Sequence, residues 1–187
     1  LAAHQLKEGI LIALIKKLKT GKGSKVSVSL FDTAITSLVN QASNWLMAKH
    51  NPQPIGSLHP NIAPYGEIIS TRDNKKIVLA VGNNKQFEKL CMILNAPILS
   101  TDAKFNTNTA RLSNRTELLE QLKKLIHKCH SGQLMPLLIQ EGVPAGLVKS
   151  VEEVFESPDL KPFILREKLD SGETSTCVKT VAFTISI

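Results

Sequence analysis

Aromatic side chains are scarce in this chain: six Phe, one Tyr and one Trp make up 4% of its 187 residues. That shortage argues against a single-stranded nucleic-acid surface, which interleaves basic charge with rings on which bases stack. The charge itself is present, 23 Lys and Arg against 16 Asp and Glu for a net +7. Its densest cluster, Lys16, Lys17, Lys19, Lys22 and Lys25, contains no aromatic residue. Lysines at a helix C-terminus, favoured by the dipole and kept in water, explain the cluster, and no nucleic-acid partner is expected.

Cysteine is rarer still. Cys91, Cys129 and Cys177 are far apart and odd in number, which fits no disulfide framework and reads as the reduced thiols of a cytoplasmic protein. Long apolar runs are missing too: the stretch from Gly9 is closed by Lys16 and Lys17, well short of the roughly 20 residues that cross a bilayer. Glu8 interrupts what would be the apolar region of a signal peptide, and no small-residue cleavage site follows. No membrane association is expected. Catalytic signatures are equally thin, with neither a G-x-S-x-G turn nor an H-E-x-x-H helix, and "GKGSK" lacks the spacing of a phosphate-binding loop. The compact "HKCH" holding His127, Cys129 and His130 has no third and fourth ligand at zinc-site spacing, so it reads as a helix end and no metal is expected.

What is present suits a folded α+β protein, since an apolar content of 42% over this length supplies a core. Leu6, Ile10, Leu14 and Leu18 share one helical face, widened by Leu11 and Ile15 and stopped by Gly21 and Gly23, which predicts a buried first helix. A second helical pattern runs from Ser29 through Ile35, Leu38, Val39 and Trp45 to about Lys49. A loop rich in Pro, Asn and His, "GSLHPNIAPYG", follows. Tyr65 to Ser70 and Lys76 to Val81 read as a hairpin turned at Asp73-Asn74. Phe87, Leu90, Cys91 and Leu94 mark a helix behind it, with Asn83 and Asn84 placed to cap its first amides, an end that attracts anions.

The second half is more helical. Asn114 with Glu117 resembles a capping box opening a helix to Cys129, and Ser131 opens a shorter one to about Glu141. Gly142 to Leu147 reads as a turn, and Ser150 with Glu153 as a cap before a helix ended by Pro158. Two β-like runs flank "DSGET" near the end, the second being Cys177 to Ile187.

Four blocks, taken in order, carry a resemblance: "KTGKGSKVSVSLFDTAITSLVNQASNWL", "GSLHPNIAPYGEIISTRDNKKIVLAVGNNKQFEKLC", "STDAKFNTNTARLSNRTELLEQL" and "EGVPAGLVKSVEEVFESP". Together the chain resembles the class III coenzyme A transferases, the CaiB/BaiF family, from about Gly9 to its end. The resemblance implies connecting helices from a large domain over 1–50, a small α+β domain with an antiparallel hairpin over 51–150, and the start of a C-terminal return over 151–187. It also implies interlocked homodimers, and an acyl-CoA and a carboxylic acid as partners. In the family an aspartate attacks the acyl thioester, giving a mixed anhydride and then an enzyme-bound thioester that an acceptor carboxylate resolves.

The position matching that aspartate falls just ahead of Leu1, while Asp32 matches a structural helical segment. No catalytic residue is therefore expected here. The chain is expected to bind no cofactor, to be inactive alone, and to contribute loops to a site for a coenzyme A thioester. The resemblance brings "PNIAPYG" and "VGNN" toward that site. His59 and Tyr65 then shape the acyl pocket, with Asn61 beside them in the same block, and Asn83 and Asn84 offer donors to a carboxylate or thioester oxyanion. The plainer alternatives stay open: Asn83 and Asn84 as caps, Tyr65 as core, His59 as a holder of its loop. Family racemases acting on 2-methylacyl-CoA esters use a glutamate near the place of Asn84, and an asparagine cannot shuttle a proton. A binding or assembly module without chemistry is the other alternative. Apolar positions such as Leu6, Ile10 and Leu14 are expected to drive self-association.

Overall fold

Asn74, left-handed at φ 57°, turns the chain between strands β1 (Tyr65–Ser70) and β2 (Lys76–Ala80), as its short polar side chain permits. The computed structural model describes residues 1–179 and 182–186, and the chain divides into two units, Leu1–Ile55 and Gly56–Ile187. The α+β class expected from the sequence is observed.

In the first unit, α1 (Ala2–Thr20) ends at left-handed Gly21, but it contains no buried residue. Leu6, Ile10, Leu14 and Leu18 are all exposed, so the expectation of a buried helix does not hold for this chain. The two short helices that follow in this unit offer its stripe too little apolar surface. The second pattern is two helices, not one: α2 (Leu30–Thr36), capped by Ser29, and α3 (Val39–Ala48). Thr36 and Ser37 hydroxyls both donate back to the Thr33 carbonyl, competing with the backbone ladder where the break falls.

The second unit holds the core. β2 pairs antiparallel with β1 on one side and with β3 (Ala145–Leu147) on the other, Ile77 opposite Leu147 and Leu79 opposite Ala145. The stretch read as a turn from Gly142 thus closes a three-stranded sheet; only Gly142 itself turns, at φ 68°. Ile77, Leu79 and Val81 meet Phe87, Leu90 and Cys91 of α4 (Asn84–Ile93), Leu118, Leu122 and Ile126 of α7 (Arg115–Ile126), and Leu134 and Leu138 of α8 (Ser131–Gln140). Each such side chain contributes about 1.5–3 kcal/mol relative to exposure. Two short helices, α5 (Ile98–Thr101) and α6 (Asn108–Ser113), lead from α4 into α7.

Helix starts partly follow expectation. Ser150 and Glu153 form a reciprocal capping box on α9 (Val151–Phe155). Asn114 does not cap α7: its Nδ2 donates to the Ala110 carbonyl at 3.0 Å, and Glu117 pairs with Lys104 instead. The terminal hairpin is β4 (Ile164–Lys168) with β5 (Thr174–Val178); Thr180, Val181 and Ile187, part of the expected second run, lie outside the described residues.

The hairpin turn is tied to α8 by Asp73. Its Oδ1 accepts from the Ser131 amide at 2.9 Å and the Thr71 hydroxyl at 2.8 Å, and its Oδ2 from the Ser131 hydroxyl at 2.5 Å. An acid from elsewhere in the chain thus caps α8. The Ser131 hydroxyl first, then its amide, hold the Asp73 carboxyl well below the usual carboxylate range. A depressed folded pKa contributes stability above the unfolded value of about 3.9, and this is lost as pH falls through the folded value. Asp73→Asn is therefore expected to lower the unfolding midpoint at pH 7, with the gap to wild type narrowing as pH drops from 5 toward 2. A gap of constant size across that range in urea titrations would contradict this account.

Candidate functional site

The chain enters β1 through residues 56–64, and the entry is held from several directions. Ser57 Oγ donates to the Gly66 carbonyl at 2.7 Å, and the His59 amide to the Tyr65 carbonyl at 2.8 Å. Gly66 sits at φ 88°, where a Cβ would lie 2.0 Å from the Ser57 oxygen, so only glycine fits this close approach. The Val81 amide donates to Pro64, tying the end of the loop to the strand that leads into α4.

Five further backbone groups of the loop are answered by α6 and α7. Asn108 accepts from the Ala63 amide at 3.1 Å and donates to the Asn61 carbonyl at 2.9 Å. Arg111 Nε donates to the Ala63 carbonyl at 2.6 Å. Arg115, one helical turn on, donates through Nη2 to the carbonyls of His59, at 2.6 Å, and Ile62. Asn108, Arg111 and Arg115 recur at near-helical spacing, which directs all three toward the loop.

Arg111 is fully buried. Besides Ala63 it donates to the Phe105 carbonyl and to Asn84 Oδ1, both at 2.9 Å, and its guanidinium lies 4.6 Å from the centre of the Phe87 ring. Burial lowers its pKa, but arginine starts so high that it remains charged. Arg115 also stands 3.5 Å from Glu67 Oε1, the second buried charge of the region. Glu67 is 2% exposed, and its Oε2 has no hydrogen-bond partner. Burial raises its carboxyl pKa, against lowering by its own amide and by the Arg115 charge.

The five residues singled out from the sequence fall around this clamp. His59 and Tyr65 form an edge-to-face ring pair with centres 5.2 Å apart, and His59 Nδ1 accepts from the Asn61 amide, so in the neutral ring Nε2 carries the proton. Tyr65 is 36% exposed rather than core. Asn83 caps α4, accepting from the Gln86 amide at 2.9 Å, while Gln86 Oε1 accepts from Gly82. Asn84 does not cap. Its oxygen is taken by Arg111 and its Nδ2 end lies on an exposed residue.

The donors of this clamp are spent on protein oxygens, chiefly the backbone of the loop. The only carboxylate among the clamp residues, Glu67, is buried, and the Cys91 thiol nearby is pushed up to about 12 by burial. Neither group is poised as a nucleophile. His127, Cys129 and His130 lie elsewhere, at the junction of α7 and α8, and among the described residues no group of three or more His, Cys, Asp and Glu is placed to hold a metal. An apolar groove of about 530 Å³, lined by Leu38, Trp45, Leu46 and Pro52 among others, is in the first unit and has no titratable lining residue. Sequence reasoning missed Asn108, Arg111 and Arg115, whose signal was an arginine pair at i, i+4 inside "NTARLSNR" with no acid at pairing distance along the helix.

A family model described as CoA-transferase family III matches residues 1–187. The succinate–glutarate CoA-transferase of Agrobacterium fabrum is 34% identical over 164 residues, which cover 88% of this chain and 40% of that protein. Human succinyl-CoA:glutarate CoA-transferase is 33% identical over 81% of this chain and 34% of its own length. Among solved structures, a CaiB/BaiF family protein from Brucella suis is 35% identical with a TM-score of 0.65, over 94% of this chain and 45% of that one. Rv3272 of Mycobacterium tuberculosis, at 24% identity and a TM-score of 0.80 over 98% of this chain and 46% of that one, shares the fold. The chain thus spans less than half the length of each.

Gly66→Ala tests how tightly the loop is built. Positive φ and the clash with Ser57 are expected to cost at least about 2 kcal/mol. Urea unfolding would measure it, and a variant within experimental error of wild type would show that residues 56–64 move freely away from Gly66.

Proposed function

Because the chain belongs to CoA-transferase family III, we propose that it supplies the small-domain part of an acyl-CoA:carboxylate CoA-transferase, cytoplasmic and homodimeric. In this reading residues 1–50 connect to a large domain, residues 51–150 form the small domain, and residues 151–187 begin the return. The observation that carries the reading is the clamped loop. Three side chains fix the backbone of residues 59–63, while Tyr65 and Asn84 stand exposed beside it.

The residues divide the work between them. Asn84 Nδ2 and the first free amides of α4 stabilise negative charge on the substrate, whether the acceptor carboxylate or the oxyanion formed when a thioester carbonyl is attacked. A single preorganised donor of this kind is worth about 10²–10³ in rate where it meets the developing charge. Tyr65 and His59, held as a ring pair, wall the acyl group, and Asn61 lies at the exposed turn of the same loop. The attacking carboxylate is supplied by polypeptide outside these 187 residues, since Glu67 is out of reach in the interior. Asn84, an amide held by Arg111, is neither an acid nor a base able to shuttle a proton to or from a substrate carbon, which favours transfer over racemisation.

The names of the relatives suggest the assay. The full-length polypeptide is expected to move coenzyme A from succinyl-CoA to a dicarboxylate such as glutarate, and the 187-residue chain alone to show no turnover above background. Failure of the full-length polypeptide across a panel of short thioesters and carboxylates, or turnover by the isolated chain, would count against the proposal.

A further inference from the structure

Arg111 is the largest fully buried side chain of the protein, yet among the described residues no carboxylate pairs with it. Burying a charge without a counter-ion is costly unless every donor is answered. Here three oxygens from three segments answer it: Ala63 in the loop, Phe105 ahead of α6, and Asn84 at the start of α4. Two would already fasten the loop to its neighbour. The third has a separate effect, because a charged donor on Oδ1 settles which end of the Asn84 carboxamide points inward. Its NH2 end is then the one not engaged by the guanidinium, on a residue that is itself exposed. Lysine, a point charge without the planar fork, cannot serve three divergent acceptors in this way.

We propose that Arg111 is a positioning residue for the candidate site: its guanidinium locks the Asn84 carboxamide with the NH2 group available to a substrate oxygen, and ties the loop at Ala63 to the same centre. The proposal rests on the CoA-transferase reading. Arg111 touches no substrate and acts through Asn84.

A double-mutant cycle in the full-length polypeptide, with succinyl-CoA and glutarate, tests it. Asn84→Ala and Arg111→Lys are each expected to raise the KM for glutarate about tenfold, and the double variant to be no worse than the more affected single one. The unfolding midpoint separates this from a purely structural role, because Arg111→Lys disturbs three hydrogen bonds and Asn84→Ala only one, so a KM loss that merely followed stability would be unequal in the two variants. KM effects that multiply in the double variant, or an unchanged KM in Asn84→Ala, overturn the proposal. Should Arg111→Lys not fold, Asn84→Asp carries the test: it keeps an acceptor for the guanidinium and removes the donor, so the midpoint holds while KM rises, and an unchanged KM overturns the assignment. If the wild-type polypeptide transfers no coenzyme A, the functional reading fails separately. Positioning is then read by heteronuclear NMR of the Asn84 side-chain amide in the 187-residue chain. A dispersed NH2 pair that collapses toward solvent-like shifts in Arg111→Lys supports it, and a pair unmoved by that change overturns it.

Discussion

A guanidinium shut away from water has to find its solvation in the protein, and Arg111 finds it in the oxygens of Ala63, Phe105 and Asn84. The demand is directional, since a planar fork offers its protons at fixed angles. Three segments that share no secondary structure are thereby held at one point, with the Phe87 ring beneath. The hydrophobic core positions the sheet and helices, but it cannot specify the path of a loop whose backbone groups need individual partners. Asn108, Arg111 and Arg115 supply those partners.

Around that centre the charges are arranged in layers. Arg115 bridges two loop carbonyls and faces Glu67, whose second oxygen goes unanswered. Burial favours the protonated carboxyl and the arginine opposes it, so Glu67 balances a desolvation cost against a nearby positive charge. The exposed rim, in contrast, carries neutral amides and rings.

Local patterns made much of the fold legible. The β1–β2 hairpin, the helix behind it with Phe87 and Leu90 inward, and the Ser150 capping box all depend on residues within a few positions of one another, and all are present. What escaped was long-range. β3 is three residues, Ala-Gly-Leu, too short for any period and recognisable only by its pairing with β2. Asp73 caps α8 from the β1–β2 turn, far away in sequence, and Asn114 looks like a cap yet donates backward to Ala110. The site was half legible for the same reason. Its exposed residues stand in a conspicuous loop, while the arginines that shape it resemble ordinary helical surface until the fold buries them. The amphipathic stripe of α1 misled in the opposite sense, since periodicity shows that a face is apolar and not what covers it.

The clamp on the loop also has a direction in time. Residues 56–64 leave the ribosome before any of the side chains that answer their carbonyls, and Arg115 follows Pro64 by an interval of about 3–10 s at ordinary elongation rates. The hairpin, with its local turn, closes in about 1–10 μs once its strands are free. During synthesis the nascent chain therefore carries a formed β1–β2 ribbon whose entry loop is still unfastened, its carbonyls solvated by water. Only when α6 and α7 emerge and bury Arg111 does that backbone exchange water for guanidinium, so the loop takes its defined shape after the hairpin it leads into.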